Sequence, residues 1–569
     1  MTERRTAAVP KMESRRSILA GTPTLSVPDD EYRSIRRARV RIFMGVAVFS
    51  LVFFLLVARL AEVSMFRAPR IFTGMVTNEA PHRADIVDRN GELLATSLET
   101  YSLYADPRQV WDAVASTEAI TSVLPDLDAA VVEERLTSGK SFVWIKRSLT
   151  PKERQAVFGL GLPELSFRIE PRRVYPRGRL AAHVLGFTDV DMNGTAGAEK
   201  AFNAALLAEN AKAVRLSLDM RVQFVLDEEL RKGMEKYEAL TASGVVINVK
   251  TGEILAMVSL PDYDPNLVSD AMPEQLLNRA SMQPYELGST FKPITMALAL
   301  EAGVVEQGEM IPVQNKLVVR TKSVKDDHPS NVPLGIYDVL AQSSNRGAAI
   351  LALRAGPDAQ RAMLRNLGLF DRVPFELKES AAPLVAREWQ DITTVTVSYG
   401  HGISVTPLAL SVALSSLLNG GEYVQPTLEK RASGEISTGR RVVSRATSAE
   451  LVNMMRYVVT DGTGRNAAVP GYEIMGKTGT AEKLINGQYA KKRLVTSFVA
   501  GFPKRDPNYL VFVVYDEPKA YEGSYGYATA GWNSAKTAGA VVERSAPILG
   551  VKRIVKSVQA GQLQAGGGR

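Results

Sequence analysis

An uncharged and almost wholly apolar run at residues 42–58 constrains the architecture of this chain more than any other feature. Arg41 and Arg59 bound the run on its two sides. Because an α-helix rises about 1.5 Å per residue, a helix of this length nearly crosses the roughly 30 Å hydrocarbon layer of a bilayer, and flanking arginines reach its edges. The run therefore predicts a transmembrane helix at residues 42–60.

The segment before this run, residues 1–41, is polar and rich in arginine, and it shows no apolar period. Its composition predicts a disordered tail. By the positive-inside rule the arginines place this tail in the cytoplasm and everything after the helix on the outer side of the membrane. A cleavable signal peptide is disfavoured by the long tail and by the lack of a small-residue cleavage site after the run. A twin-arginine signal at residues 14–19 is disfavoured because acidic residues 29–31 separate it from the apolar run.

Composition removes several classes of chemistry. The chain contains no cysteine, which excludes disulfides, thiolate metal sites and a cysteine nucleophile. Its four histidines, His82, His183, His328 and His401, are scattered, so neither a metal nor another cofactor is predicted. The net charge of +8 would suit nucleic acid, but a cluster of basic residues directly precedes the predicted membrane span, and no nucleic-acid partner is predicted.

After the predicted span, the pattern of helix and strand signals changes near residue 209. Residues 61–208 mix short strand patterns, such as 101–105 and 141–145, with helical stretches, and predict a non-catalytic mixed module. Residues 209–556 begin with a helical pattern at 219–237 and strands at 244–249 and 253–258, continue with helices over about 290–420, and end with strands at 471–480 and 494–516. Strands at both ends with helices between them predict an α+β domain with a central antiparallel sheet. Residues 557–569 are predicted to be a flexible tail.

A nucleophile and a base lie three residues apart in Ser289-Thr290-Phe291-Lys292, at the start of an apolar helical pattern. Pro293 is tolerated only in a first helical turn, so Ser289 is predicted at a helix start. Side chains at i and i+3 share a helix face, and the helix N-terminus suits an oxyanion. Taken alone, the motif is a weak signal and favours an N-cap serine followed by a solvated lysine.

Two further motifs stand downstream, Ser343-Ser344-Asn345 and Lys477-Thr478-Gly479-Thr480. The ordered triple Ser-x-x-Lys, Ser-x-Asn and Lys-Thr-Gly resembles the penicillin-binding proteins and serine β-lactamases. The resemblance extends over residues 42–545, and the middle motif is similar to the division-specific (septal) branch of the class B penicillin-binding proteins. Departures at Ala84, Leu287, Ala409 and residues 530–533 fall in packing positions and loops. Neighbouring stretches that carry the same resemblance are residues 83–91, 173–176, 194–199, 285–292, 399–402, 406–408, 462–464 and 516–518.

The resemblance and the chemistry of the motifs imply a role for each site residue. A lysine accepts the proton of a serine hydroxyl only when it is neutral, and we expect the helix N-terminus and the second cation, Lys477, to favour neutral Lys292. The expected roles are nucleophile for Ser289, base for Lys292, proton relay for Ser343, support of Lys292 and the substrate amide for Asn345, binding of a substrate carboxylate for Lys477, Thr478 and Thr480, and room for an extended substrate at Gly479. The backbone N–H groups of Ser289 and Thr480 are expected to form the oxyanion hole.

Several single features have plainer interpretations. Residues 471–478 satisfy the P-loop expression, but the Asn486-Gly487 turn follows where a helix is required, which disfavours a nucleotide site. Ser344 is expected to be structural, His401 a hydrogen-bonded residue at the cleft edge, and residues 516–517 the end of a strand. The family resemblance implies buried ion pairs for Arg83, Asp88 and Arg173 in the first module, which serves as a pedestal.

These features together predict a single-pass D,D-transpeptidase of the cell inner membrane, with its catalytic domain in the periplasm. The substrates implied are peptidoglycan stem peptides, β-lactams are the implied inhibitors, and a polytopic lipid II polymerase and other division proteins are the implied partners. An elongation-specific class B transpeptidase and a division scaffold with little catalysis remain alternatives. A β-lactamase is disfavoured by the pedestal, and a penicillin-responsive sensor by the absence of a cytoplasmic effector domain.

Overall fold

The computed structural model describes residues 44–57, 83–306, 308–432, 439–485 and 487–554. The chain forms two compact units, residues 1–79 and 80–569. In the first unit, residues 44–57 are helical (α1), whereas residues 42–43 and 58–60 of the predicted span lie outside the described residues. The predicted tails at 1–41 and 557–569 lie outside them too. No helix within the described ranges is both long and apolar enough to cross a membrane, so the transmembrane helix stays a prediction.

The pedestal is built on one mixed sheet whose centre is the long second strand. That strand pairs antiparallel with the first, third and fourth strands, and the first strand pairs in parallel with the fifth. The sheet thus includes residues 214–215, past the predicted end of this module at residue 208. The strands are β1 (Ile86–Val87), β2 (Leu93–Ala105), β3 (Val143–Leu149), β4 (Leu165–Val174) and β5 (Val214–Arg215).

Short helices accompany this sheet, and three of them have capped N-termini. Asp112 and Asp128 accept hydrogen bonds from backbone N–H groups at two helix starts, and Thr150 forms a capping box with Glu153. The pedestal helices are α2 (Ala113–Val123), α3 (Ala129–Leu136), α4 (Pro151–Phe158), α5 (Ala182–Leu185), α6 (Gly197–Ala201) and α7 (Asn203–Leu206).

A buried cluster of charges ties the start of the pedestal to its end. The Glu199 carboxylate lies 2.6 Å from Arg83 and 2.6 Å from Arg173, and the Arg83 and Glu199 side chains are fully buried. The ion pairs predicted for these arginines are therefore present. The prediction was wrong for Asp88, which makes no ion pair among the described residues. The Asp88 carboxylate instead accepts hydrogen bonds from three backbone N–H groups, at Asn90, Glu92 and Met220.

The second domain contains a five-stranded sheet and several two-stranded ribbons. All neighbouring pairs in the five-stranded sheet are antiparallel, which confirms the predicted α+β architecture with a central antiparallel sheet. The sheet order is β16-β17-β18-β6-β7. The strands of the domain are β6 (Thr241–Asn248), β7 (Ile254–Leu260), β8 (Met310–Ile311), β9 (Leu317–Val319), β10 (Lys322–Val324), β11 (Leu334–Gly335), β12 (Leu384–Val385), β13 (Ile403–Ser404), β14 (Glu422–Tyr423), β15 (Arg440–Arg441), β16 (Met475–Ile485), β17 (Gln488–Phe502) and β18 (Tyr509–Asp516).

Helices cover both faces of this sheet. The helices are α8 (Met220–Lys236), α9 (Pro273–Leu276), α10 (Arg279–Met282), α11 (Lys292–Glu301), α12 (Ile336–Ala341), α13 (Asn345–Ala355), α14 (Pro357–Asn366), α15 (Asp391–Ser398), α16 (Pro407–Leu418), α17 (Arg445–Thr460) and α18 (Ser534–Ile548). Successive strand residues point to opposite faces. Val511 and Val513 therefore join the core beneath α8 and α18, whereas Leu510 and Phe512 join the larger core with α11 and α16.

The edge strand β16 carries the third motif. Lys477 and Thr478 are strand residues, not the start of a helix, so the structure gives no P-loop here. The strand lies beside the segment that contains Ser289, because β16 packs against the turn at Gly288–Phe291. The fold thus brings the first and third motifs together although almost 190 residues separate them in sequence.

Candidate active site

The nucleophile and its base lie where a 3-10 turn becomes a helix. The turn spans Gly288–Phe291 and continues directly into α11, with Pro293 in the first helical turn. Ser289 is partly exposed, whereas Lys292 is fully buried. The Lys292 Nζ atom lies 2.9 Å from the Ser289 hydroxyl oxygen. The spacing of three residues has the geometric consequence expected from the sequence.

The second motif surrounds the same amine. Lys292 Nζ lies 2.5 Å from the carbonyl oxygen of Ser343, 3.1 Å from its hydroxyl oxygen and 2.7 Å from Asn345 Oδ1. Ser343 has a φ of 63°, a left-handed conformation that costs on the order of 1–3 kcal/mol for a non-glycine residue. In this conformation the carbonyl oxygen and the hydroxyl oxygen of Ser343 both face the amine of Lys292.

Ser344 has the structural position that the sequence suggested. It is the N-cap of α13, and its hydroxyl oxygen accepts a hydrogen bond of 3.0 Å from the backbone N–H of Gly347. An N-cap of this kind satisfies one of the N–H groups that a helix start leaves without a partner. Ser344 therefore orients the helix whose first residue is Asn345.

The third motif adds a second buried lysine. Lys477 is fully buried, and its Nζ atom lies 2.9 Å from the hydroxyl oxygen of Ser343 and 2.9 Å from the carbonyl oxygen of Thr478. The Ser343 hydroxyl is thus shared by two amines. The hydroxyl oxygen of Thr478 lies 2.9 Å from that of Thr463, and the Thr480 hydroxyl oxygen accepts a hydrogen bond of 3.1 Å from the N–H of Ala530.

Gly479 has a packing role that the sequence did not suggest. A Cβ atom at this position would lie 2.4 Å from the carbonyl oxygen of Leu287, 2.5 Å from Ser497 Oγ and 2.8 Å from Thr290 Cγ2. A side chain there would push β16 away from the segment that carries Ser289. The close approach that this glycine permits in the structure is one within the chain, between the first and third motifs.

Burial is the main influence on the two lysines. Loss of hydration lowers the pKa of Lys292 to about 7, although the negative charges of Asp326 and Asp327 oppose this shift. Burial, followed by repulsion from Lys292, holds the pKa of Lys477 well below its usual value. Burial is thus a stronger cause of the neutral form of Lys292 than the helix terminus and Lys477 that were expected to favour it, and the opposing charge of Asp326 was not among the predictions. Neither lysine forms an ion pair with a carboxylate in the described part of the chain.

His401 differs in part from its prediction. Its backbone N–H donates a hydrogen bond to Thr396, but its buried Nδ1 atom has no hydrogen-bond partner among the described residues. The ring packs against those of Tyr399 and Tyr489, with centroid distances of 5.5 and 5.7 Å. Burial lowers the pKa of His401, which favours the neutral imidazole. The His401 ring is therefore held mainly by aromatic contacts and not by the side-chain hydrogen bond that the sequence predicted.

The arrangement is suited to acyl transfer by a serine. A largely buried amine with a pKa near neutrality lies within proton-transfer distance of a serine hydroxyl, and a second serine connects that amine to another. On an antiparallel sheet covered by helices on both faces, this site defines the class of the serine-type penicillin-binding acyltransferases.

Comparison with known proteins refines the class. The penicillin-binding protein transpeptidase domain matches residues 242–532, and the penicillin-binding protein dimerisation domain matches residues 78–214. The chain belongs to the class B penicillin-binding proteins and, among them, to the FtsI family. The resemblance to this branch that was predicted from the three motifs is thereby confirmed.

Individual relatives show how far the similarity extends. The chain is 41% identical over 528 residues to the probable peptidoglycan D,D-transpeptidase FtsI of Caulobacter vibrioides, covering 90% of this chain and 89% of the relative. It is 30% identical over 477 residues to the peptidoglycan D,D-transpeptidase FtsI of Escherichia coli K12, covering 77% and 79%. The crystal structure of penicillin-binding protein 3 from Mycobacterium tuberculosis, complexed with aztreonam, superposes with a TM-score of 0.65 at 25% identity and covers 83% of this chain and 97% of that one.

Proposed function

We propose that this protein is a serine-type peptidoglycan D,D-transpeptidase that cross-links stem peptides at the division septum through an acyl-enzyme on Ser289. The observation that carries the proposal is the 2.9 Å contact between the Ser289 hydroxyl and the fully buried amine of Lys292. Family membership and the D,D-transpeptidase names of the relatives support the reaction and the substrate.

The acylation step begins with the neutral amine of Lys292. Ser289 Oγ attacks the carbonyl carbon of the penultimate D-Ala of a stem peptide, and its proton passes to Lys292 Nζ. The bond to the terminal D-Ala then breaks, and the leaving nitrogen takes up a proton. Ser343 can carry that proton, because its hydroxyl lies 3.1 Å from Lys292 Nζ and 2.9 Å from Lys477 Nζ. The products are free D-Ala and an ester on Ser289.

The second step resolves this ester. An amine of a neighbouring stem peptide attacks the ester carbonyl and gives its proton to Lys292, which is neutral again after the first step. The bond between the carbonyl carbon and Ser289 Oγ breaks, and the hydroxyl regains a proton from Lys292. The peptide cross-link forms and the enzyme returns to its starting state without a net change in protons.

The substrate is proposed to bind along the outer edge of strand β16. This strand ends the sheet order, so one of its edges has no neighbouring strand in the described sheet. An extended peptide can pair with such an edge through main-chain hydrogen bonds. The substrate carboxylate is proposed to bind near Lys477, Thr478 and Thr480, and the N–H groups of Ser289 and Thr480 to receive the developing oxyanion.

β-Lactams are proposed to acylate the same serine. The similar structure from Mycobacterium tuberculosis is a complex with aztreonam, which supports a β-lactam site in this fold. An acyl-enzyme formed from a ring-opened β-lactam keeps its leaving nitrogen attached and therefore blocks the approach of the acceptor amine.

The proposed location is the inner membrane, with a single span at residues 42–60, a cytoplasmic N-terminus and a periplasmic catalytic domain. The apolar run and its arginines support this orientation, and residues 44–57 are helical. The proposed partners are a polytopic lipid II polymerase with glycosyltransferase activity and other division proteins, because the chain shows no motif for sugar transfer.

Labelling with a fluorescent penicillin tests the proposal. We expect covalent label on the wild type and none on Ser289→Ala, because the label is an ester of that hydroxyl. Ser138→Ala, at an exposed position of the pedestal, is the matched control and should label like the wild type. Label that persists on Ser289→Ala would rule out the assigned nucleophile, and rapid release of hydrolysed penicillin by the wild type would indicate a β-lactamase.

Complementation separates the remaining alternatives. In cells depleted of the native protein, Ser289→Ala should fail to restore septation. Septation restored by Ser289→Ala would indicate a scaffold. If depletion of the native protein stopped elongation and left septation intact, the protein would belong to the elongation-specific branch.

A further inference from the structure

An acidic side chain outside the three motifs is anchored on the second of them. Asp326 follows β10, and its Oδ1 atom accepts hydrogen bonds from the backbone N–H groups of Asn345, at 2.5 Å, and Arg346, at 2.9 Å. Its Oδ2 atom accepts a hydrogen bond of 2.9 Å from the Ser344 hydroxyl. A carboxylate in this position satisfies N–H groups that the start of α13 leaves unpaired and interacts favourably with the helix dipole.

The neighbouring backbone fixes the side chains of the same motif. Asn345 Nδ2 donates a hydrogen bond of 3.0 Å to the carbonyl oxygen of Lys325. Since the amide has only one oxygen, this bond turns Oδ1 toward Lys292 Nζ, which lies 2.7 Å away. Arg346 Nε donates a hydrogen bond of 3.1 Å to the carbonyl oxygen of Val324. Residues 324–326 thus hold the start of α13 at several points.

We propose that Asp326 is a positioning residue for acylation, which holds Ser344, Asn345 and Arg346 so that Ser343 and Asn345 keep their contacts with Lys292. This inference rests on the proposed function. Asp326 itself forms no hydrogen bond or ion pair with Ser289 or Lys292 in the described structure, so it acts through the second motif. The bonds to Asp326 are charge-assisted, which makes them stronger than bonds to a neutral acceptor.

The next residue provides a matched control. Asp327 is exposed and makes none of these hydrogen bonds, yet its negative charge also raises the pKa of Lys292. The titratable groups that influence or contact Lys292 are Asp326 and Asp327 after β10, Lys477 on β16 and His401 after α15. Removal of either aspartate takes away one negative charge near Lys292. Only the removal of Asp326 also takes away the three hydrogen bonds to Ser344, Asn345 and Arg346.

The test measures the rate of acylation by a fluorescent penicillin between pH 5.5 and 9 for the wild type, Asp326→Ala and Asp327→Ala. In both variants the rate should begin to rise at lower pH, because loss of a negative charge lowers the pKa of Lys292. At high pH Lys292 is neutral in every variant, so the acylation rate reached there depends on how the site residues are positioned and not on the pKa of Lys292. We expect it to fall at least about tenfold in Asp326→Ala and to stay within about twofold of the wild type in Asp327→Ala.

Asp326→Asn checks for rescue by a conservative change. Asparagine retains one oxygen acceptor, so its rate at high pH should lie between those of Asp326→Ala and the wild type. Melting temperatures are recorded for each variant. If Asp326→Ala does not fold, the comparison uses Asp326→Asn, whose rate at high pH should lie at least about threefold below that of Asp327→Ala.

A rate at high pH that is equal in the folded Asp326 and Asp327 variants would overturn the positioning role. Failure of the proposed function would give a different result, namely covalent label on Ser289→Ala. That outcome does not depend on the acylation rates of the Asp326 variants, so the two failures can be told apart.

Discussion

Two groups of buried cations in this molecule solve the same electrostatic problem in opposite ways. In the pedestal, Arg83 and Arg173 both lie 2.6 Å from the carboxylate of Glu199. In the catalytic domain, Lys292 and Lys477 share the neutral hydroxyl of Ser343 at 3.1 and 2.9 Å. One group is compensated by an opposite charge, and the other is not.

The difference explains what each group does. A buried cation beside a carboxylate stays charged and joins distant parts of the chain, whereas a buried cation without a partner in contact is driven toward its neutral form. The negative charges of Asp326 and Asp327 only moderate that shift, and the pKa of Lys292 is about 7. An amine with this pKa serves as a base at neutral pH.

The largest effect is expected from Lys292→Met, which keeps the length of the side chain and removes the amine. We expect the rate of acylation by a fluorescent penicillin to fall by about 10²–10⁴-fold, the usual contribution of a general base. The melting temperature should stay equal or rise, because a poorly compensated buried charge is removed. The matched pedestal change, Arg173→Met, should lower the melting temperature and leave acylation of the folded protein intact. Equal destabilisation by both changes would erase the distinction between the two groups.

A somewhat smaller effect is expected from Glu199→Gln, which leaves two buried arginines without their carboxylate. Breaking a buried ion pair from one side costs about 3–5 kcal/mol in the free energy of unfolding. Denaturant unfolding followed by circular dichroism would measure this loss. The control, Glu238→Gln, removes an exposed partner of Lys519 and should leave the unfolding curve unchanged. A wild-type unfolding curve for Glu199→Gln would mean that this cluster contributes little to stability.

The smallest effect is the pH dependence of the wild type. With a Lys292 pKa of about 7, the neutral fraction rises about tenfold between pH 6 and 8, and the acylation rate should rise with it. Stability should change in the same direction. The pKa of Lys292 is about 7 in the folded state against 10.5 ordinarily, so the unfolded chain binds more protons in that window and the free energy of unfolding increases with pH. A rate that falls or stays flat over pH 6–8 would argue against neutral Lys292 as the base.

Several predictions from sequence needed only local periodicity and spacing. The helix expected at 219–237 is present as Met220–Lys236, and the strand pattern near 244–258 is present as β6 and β7. The i, i+3 spacing of Ser289 and Lys292 made their contact predictable. These features depend on residues close together in the chain, where the rules of helices and strands apply directly.

Other features depended on distant residues. Asp326 lies 18–20 residues before the groups it binds, with nothing in its local sequence to mark it. Asp88 looked like a partner for an arginine, but the turn at β1–β2 and the start of α8 bring backbone N–H groups to it instead. The expected role of Gly479 in admitting substrate stays a prediction, but its packing role depends on the distant carbonyl oxygen of Leu287, which leaves no room for a Cβ atom.

The sequence by itself determined the class of chemistry, because three motifs in a fixed order specify a serine, a lysine and a substrate strand, and it placed an apolar run before them. Only the tertiary structure decided the state of the base. Whether Lys292 is neutral depends on how completely packing removes water from its amine and on which groups lie around it. Those groups come from the segment after β10, from β16 and from the start of α13.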